Sequence, residues 1–364
     1  MIADMQESQY FSTDYLEARQ AFLAAAQFAG AEVESFLNPN SEKEGVQLFT
    51  DVALLGPEDA ENILLLMSGT HGVEGLGGSG IQVGLMREGL SGGLKPNTRL
   101  VMIHAVNPYG FANMRRFNED NVDLNRNFVD HSGVYPENKE YDQLADLLAP
   151  RSFSTLANVF AALQFLWCRL RYGQASLQHA VTQGQYSHPH GLFYGGRFPC
   201  WSNRILHAIG ERHLLHAARV VVIDLHTGLG PYGYGEVILN DSEDDPAYRR
   251  AVTWWGAERV KSTLEGGSVS AHLSGTVRLA FSRMLPDAEL TAVGLEFGTL
   301  PLMEVFKAIR AENWLYQHGG ADHPDAVKIK QQLIRAFYPN DELWKQQVWE
   351  QGRLVVEQAL ANLS

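Results

Sequence analysis

The sequence predicts an α/β fold built around an open sheet, and three observations lead there. Four unbroken apolar runs, at 63–67, 100–103, 220–223 and 292–295, have the character of strands buried on both faces. The segments between them carry apolar residues at helical spacing, as at Tyr15, Leu16, Phe22, Leu23 and Ala26. The chain is also 364 residues long with 45% hydrophobic content, enough for a large core and too apolar for disorder.

Each element can be justified in turn. Ser12 or Thr13 is expected to cap a helix that runs to Gly30, and a strand-like region covers 46–55. The run at 63–67 ends in the loop Ser68-Gly69-Thr70-His71-Gly72-Val73-Glu74-Gly75, after which 81–86 resumes a helical pattern. Asn107-Pro108 follows the run at 100–103, Asp224-Leu225-His226-Thr227-Gly228 follows 220–223, and Glu296-Phe297-Gly298-Thr299 follows 292–295. Ligand sites in open α/β sheets gather at the carboxyl ends of strands, so these polar tails are expected to share one crevice. The stretch 130–215 reads as a helical insertion, and 326–364 as closing helices interrupted at Pro339-Asn340. With no repeat, low-complexity tract or linker, the expectation is one domain over 1–364, opened by a helical segment within 1–40.

Charge and composition exclude several function classes. The formal charge of -13, from 29 basic and 42 acidic residues, opposes binding to a phosphate backbone, so no nucleic-acid partner is expected. Cys168 and Cys200 are too few for a disulfide framework or a four-cysteine zinc site. No basic start precedes an apolar run and no stretch is long enough to span a bilayer, which gives the expectation of a cytoplasmic protein without a membrane partner. The 13 histidines, in a chain rich in carboxylates, direct attention to metal chemistry.

Gly75-Leu76-Gly77-Gly78-Ser79-Gly80 fits G-x-G-x-x-G, but the acidic residue a dinucleotide site needs about 20 residues later is replaced by the loop Gly92-Gly93-Leu94-Lys95-Pro96. Close packing is the better reading. Ser79 fails as a nucleophile elbow, because Ile81 stands where G-x-S-x-G needs its second glycine. His71 and Glu74 form an H-x-x-E pair whose spacing arises about once by chance in such a chain; its position on the first loop after a buried strand suits a metal pair or a hydrogen-bonded histidine. His226 follows another buried strand and suits a third ligand or a backbone-bonded histidine. The segment 115–128 concentrates Arg115, Arg116, Asp123, Asn125 and Arg126, either a carboxylate-binding cluster or a solvated loop. Glu296 ends an apolar strand and suits a general base or a structural acid. The acidic run at Asp241, Glu243, Asp244 and Asp245 lacks calcium-loop spacing and reads as a turn.

In order along the chain, His71-x-x-Glu74, Asn107-Pro108, Arg116, Asp123-Leu124-Asn125-Arg126-Asn127-Phe128, His226 and Glu296 resemble the zinc carboxypeptidase superfamily, which includes the succinylglutamate desuccinylase and aspartoacylase branch. The resemblance implies a three-layer α/β/α fold with a mixed, mostly parallel twisted sheet. It implies one zinc ion held by His71, Glu74 and His226, with Asp123 orienting the His71 ring. Glu296 becomes the general base, Arg116 the oxyanion donor, and Asn125 with Arg126 the grip on a substrate carboxylate. The implied reaction is hydrolysis of an amide beside a free carboxylate, in a peptide or an N-acyl amino acid. Arg115 competes with Arg116 for its role, His188 and His190 are alternative ligands or loop residues, and Tyr232 and Tyr234 are candidates for a tyrosine over the substrate.

Overall fold

In the computed structural model, the described residues are 7–40, 45–90, 93–264 and 273–363; residues 1–6, read above for targeting signals, lie outside them. The strands are β1 (Glu32–Leu37), β2 (Phe49–Leu55), β3 (Asn62–Ser68), β4 (Thr98–His104), β5 (Arg219–Tyr232), β6 (Gly235–Leu239), β7 (Val260–Ser262) and β8 (Glu289–Gly298). They form one sheet in the order β1-β2-β4-β3-β5-β8-β6-β7. The central strands β4, β3, β5 and β8 are mutually parallel, whereas β1, β2 and β6 join antiparallel neighbours. The sheet is therefore mixed and mostly parallel, as the sequence predicts, and its central strands are the four apolar runs.

The helices are α1 (Tyr15–Ala29), α2 (Gly75–Glu88), α3 (Pro108–Ala112), α4 (Leu124–Asn127), α5 (Lys139–Leu148), α6 (Thr155–Tyr172) and α7 (Gln174–Thr182). They continue with α8 (Trp201–His213), α9 (Pro246–Trp255), α10 (Val277–Met284), α11 (Leu302–Trp314), α12 (Ala326–Phe337) and α13 (Glu342–Leu363). Successive side chains of a strand point to opposite faces, which explains the two covering layers. Leu64, Leu66, Val221 and Ile223 pack with residues of α1, α2 and α13 on one face. Ile63, Leu65, Val220 and Val222 pack with residues of α8 and α10 on the other.

Three details correct the sequence expectation. Asp14, rather than Ser12 or Thr13, caps α1 by accepting from the Glu17 amide, and Thr13 instead donates to the Glu17 carboxylate. The glycine-rich stretch expected to be a loop is the first half of α2, a helix buried over 75–86. Its small residues allow close approach: a Cβ at Gly80 would stand 2.4 Å from Phe11, and one at Gly84 2.4 Å from Trp349. Tertiary packing here outweighs the poor helix propensity of glycine. The sequence reading also missed β1, whose mostly exposed residues pair with β2 at the sheet edge.

The stretch 130–215 contains α5 to α8. Within it, α6 buries Ala161 and Cys168 but exposes Leu156, Phe160, Leu163, Trp167 and Leu170. Among the described residues no helix is long and apolar enough to cross a membrane.

Candidate metal centre

The loop after β3 and the middle of β5, which runs on past the expected strand end, bring three expected site residues together. His71 lies just past β3, Glu74 ends the single turn that follows, and His226 is in β5, directly opposite Glu296 of β8 in the parallel register. Backbone bonds from Gly72 and Val73 to the carbonyls of Arg116 and Arg115, at 3.2 and 2.8 Å, dock the His71 loop onto the arginine segment. Asn107 caps α3 through the Gly110 amide and donates to the Arg116 carbonyl, which places that segment in turn.

The ligating atoms of His71, Glu74 and His226 lie within 4.8 Å of one another, and all three residues are buried. Both imidazoles direct Nδ1 to the Glu74 carboxylate, each at 2.9 Å, and both direct Nε2 to an aspartate. For His71 that aspartate is Asp123 at 3.2 Å; for His226 it is Asp224 at 2.7 Å. Asp224 is itself fixed by the Thr70 hydroxyl at 2.7 Å. A carboxylate behind each imidazole is the arrangement that sets the tautomer of a metal-ligating histidine.

A test of fit comes from hydrogen bonding. His71 Nδ1 is buried and close to Glu74 yet has no hydrogen-bond partner, an arrangement that costs free energy unless something else accepts its lone pair. Two neutral imidazole nitrogens and one carboxylate oxygen form a donor set suited to a borderline divalent ion. These residues therefore fit a metal site.

Electrostatics agree with that geometry. Burial acts to raise the Glu74 carboxyl, but His71, the His226 hydrogen bond and Arg116 hold it well below the usual range. Burial acts to lower His226, and Asp224 with Glu74 reverse this, so it lies well above its ordinary value. The Glu296 carboxyl is pushed up to about 7, mainly by burial and next by the Glu74 charge, while His226 opposes the shift. Its Oε1 accepts from the Leu229 amide at 3.0 Å.

The adjacent arginines diverge. Arg116 enters the cluster, donating to Glu74 at 2.8 Å and Asp123 at 3.2 Å, with Nη2 2.9 Å from His71 Nε2. Arg115 turns away to Glu312 at 2.8 Å and lies over the Tyr316 ring. Asn125 and Arg126 line the same pocket, but Arg126 donates to the Thr182 and Asn125 carbonyls and Asn125 accepts from the Val277 amide. His188 pairs with Asp142 and His190 with Gln317, outside the pocket lining, and neither Tyr232 nor Tyr234 belongs to that lining. Sequence reasoning missed Asp224 and Arg278. The first had a readable signal, because residues two apart on a strand share a face.

The fold and the site define a carboxypeptidase A-like α/β architecture that carries a buried His-Glu-His cluster. Bovine thrombin-activatable fibrinolysis inhibitor, solved in complex with a tick carboxypeptidase inhibitor, shares this fold with a TM-score of 0.52 at 14% identity, covering 97% of this chain and 98% of that one. A carboxypeptidase A from Helicoverpa armigera matches at 0.44 and 14% identity, covering 94% of this chain and 73% of that one. A succinylglutamate desuccinylase from Silicibacter matches at 0.40 and 16%, covering 79% and 67%. No curated protein sequence matches the chain. Residues 11–351 match a family model, and the chain belongs to that family, DUF2817, described as a protein of unknown function.

Proposed function

We propose that this chain is a zinc-dependent hydrolase of the carboxypeptidase type, cleaving an amide bond next to a free carboxylate. The observation that carries the reading is the buried cluster of His71, Glu74 and His226, in which His71 Nδ1 faces the Glu74 carboxylate without making a hydrogen bond. His71, Glu74 and His226 would hold one zinc ion, with Asp123 and Asp224 accepting from the imidazoles behind them. When bound, zinc supplies Lewis-acid activation of water and of the substrate carbonyl.

The other steps belong to the chain's own groups. Glu296, raised towards neutrality, takes a proton from the attacking water and returns it to the departing amine. Arg116, which reaches the cluster through Glu74, would donate to the carbonyl oxygen as negative charge grows there. Asn125 and Arg126, which line the pocket, would grip the substrate carboxylate. No side chain need form a covalent bond to the substrate.

Metal analysis of the purified protein, with hydrolysis assays on peptides and on N-acyl amino acids, tests the proposal. Near-stoichiometric zinc is expected, with cleavage lost in His226→Ala and Glu296→Gln. Wild type that binds no zinc, or either variant at full activity, would overturn it. Faster cleavage of peptides than of N-acyl amino acids marks a carboxypeptidase, and the reverse marks a deacylase.

A further inference from the structure

A third arginine reaches the same pocket from a different direction. Arg278 is the second residue of α10, a helix capped by Thr276. Its guanidinium donates to the Ile238 carbonyl at 3.1 Å and to Asn240 Oδ1 at 3.2 Å, and its buried Nε has no partner. Arg278, Thr276, Gly294 and Glu296 all line the pocket. Gly294 makes room for this side chain, since a Cβ there would stand 2.1 Å from Arg278 Nη1. The sheet floor is thus glycine where the guanidinium crosses it, two residues before Glu296.

The three pocket arginines differ in how their charge is answered. Arg116 bonds Glu74 and Asp123, and Arg126 has Asp123 at 3.6 Å. Among the described residues, no carboxylate lies within ion-pair distance of Arg278, whose two bonded acceptors are neutral. Asp224, Glu296 and Asp241 act on its charge only from farther away. Asp224 is already committed to Thr70 and His226, and Glu296 to the Leu229 amide. A largely enclosed guanidinium that lines a pocket and has only neutral bonded partners is a receptor for an incoming anion.

We propose that Arg278 reads a second carboxylate on the substrate, so that the residue released carries an acidic side chain of the aspartate or glutamate class. This rests on the proposed amide hydrolysis. Asn125 ties α10 to the other side of the pocket: its Oδ1 accepts from Val277, the neighbour of Arg278 in the chain, at 3.0 Å. The proposed grip on the substrate's α-carboxylate and Arg278 thus line one and the same pocket.

The test compares matched peptides and N-acyl amino acids ending in Glu, Gln or Lys, with zinc-loaded enzyme. Wild type is expected to favour Glu over Gln in kcat/KM by about 10- to 100-fold, the scale of a hydrogen bond to a charged group. Arg278→Gln removes that preference, Arg278→Lys keeps most of it, and Arg278→Glu shifts the preference towards Lys. Calorimetry with free glutamate and free glutamine supplies a readout apart from turnover, with tighter glutamate binding in wild type and none of that difference in Arg278→Gln. Equal cleavage of Glu and Gln substrates by wild type overturns the proposal while leaving the hydrolase reading intact. So does an equal loss on all three substrates in Arg278→Gln. Absence of zinc and of any cleavage overturns the hydrolase reading, and the calorimetric difference still decides the role of Arg278.

Discussion

The floor of the pocket and its outer wall are built on opposite principles. The floor is the row of strand ends carrying His226 and Glu296 with the His71 loop beside them, and its polar groups are tied to carboxylates or backbone amides inside the sheet layer. The outer wall comes from α7, α11 and residue Phe193, where Leu302, Val305, Phe306 and Ile309 meet the pocket through apolar contact. Behind that wall lies α6, which turns large apolar side chains outward. The charged groups of the pocket thus sit on the sheet layer, and α11 closes it with apolar side chains, a division suited to separating chemistry from shape selection.

Substitutions can break that division or sharpen it. The largest effect is expected at the floor: His226→Ala should abolish zinc retention and hydrolysis together while the far-ultraviolet circular dichroism stays that of the wild type. Glu296→Gln should retain zinc and lower kcat by about 10²- to 10⁴-fold, the usual yield of a positioned base. Asp224→Asn removes the acceptor behind His226 and should weaken zinc binding by about 10- to 100-fold in a chelator competition. At the wall, Phe306→Ala should leave zinc content unchanged and alter the ranking of apolar substrates by about 10-fold. A large loss of zinc in that variant would show that the two regions are not separable.

A last effect, on stability rather than on zinc or turnover, lies in the sheet behind the floor. His104 of β4 is enclosed by Phe22 and Ser79, and burial depresses it to about 4, with the Arg19 charge adding to the shift and Asp51 opposing it. Between its ordinary value and about 4 the unfolded chain binds a proton that the native protein does not. Stability from this group is therefore full above about 6.5 and declines as pH falls towards 4, by up to on the order of 3 kcal/mol. Urea midpoints measured across that window should fall in wild type and fall less in His104→Gln.

Much of the floor was readable because burial writes itself into strands as unbroken apolar runs, and because the polar residues that interrupt them do so at the ends. His71, Glu74, His226 and Glu296 all stand at such ends. Asp224 was passed over because it looked like the start of a polar tail, although strand alternation places it on the face of His226. Arg278 had no local signal: its meaning comes from Gly294 and from β6, neither of which is near it in the chain. The clamp on Arg126 was equally invisible, since Thr182 contributes a backbone carbonyl that any residue could supply. The glycine run of α2 misled in the other direction, because its helix depends on neighbours such as Phe11 and Trp349.

The pairing of His226 with Glu296 across β5 and β8 also bears on how the molecule is assembled. A slip of one residue would turn every side chain of the displaced strand to the opposite face and carry the imidazole away from Glu74. Only a chain whose parallel strands have found their proper alignment can then close the His-Glu-His cluster. An ion that binds there acts as an inspector of assembly, holding aligned copies in the native state and leaving misaligned ones free to unfold and try again.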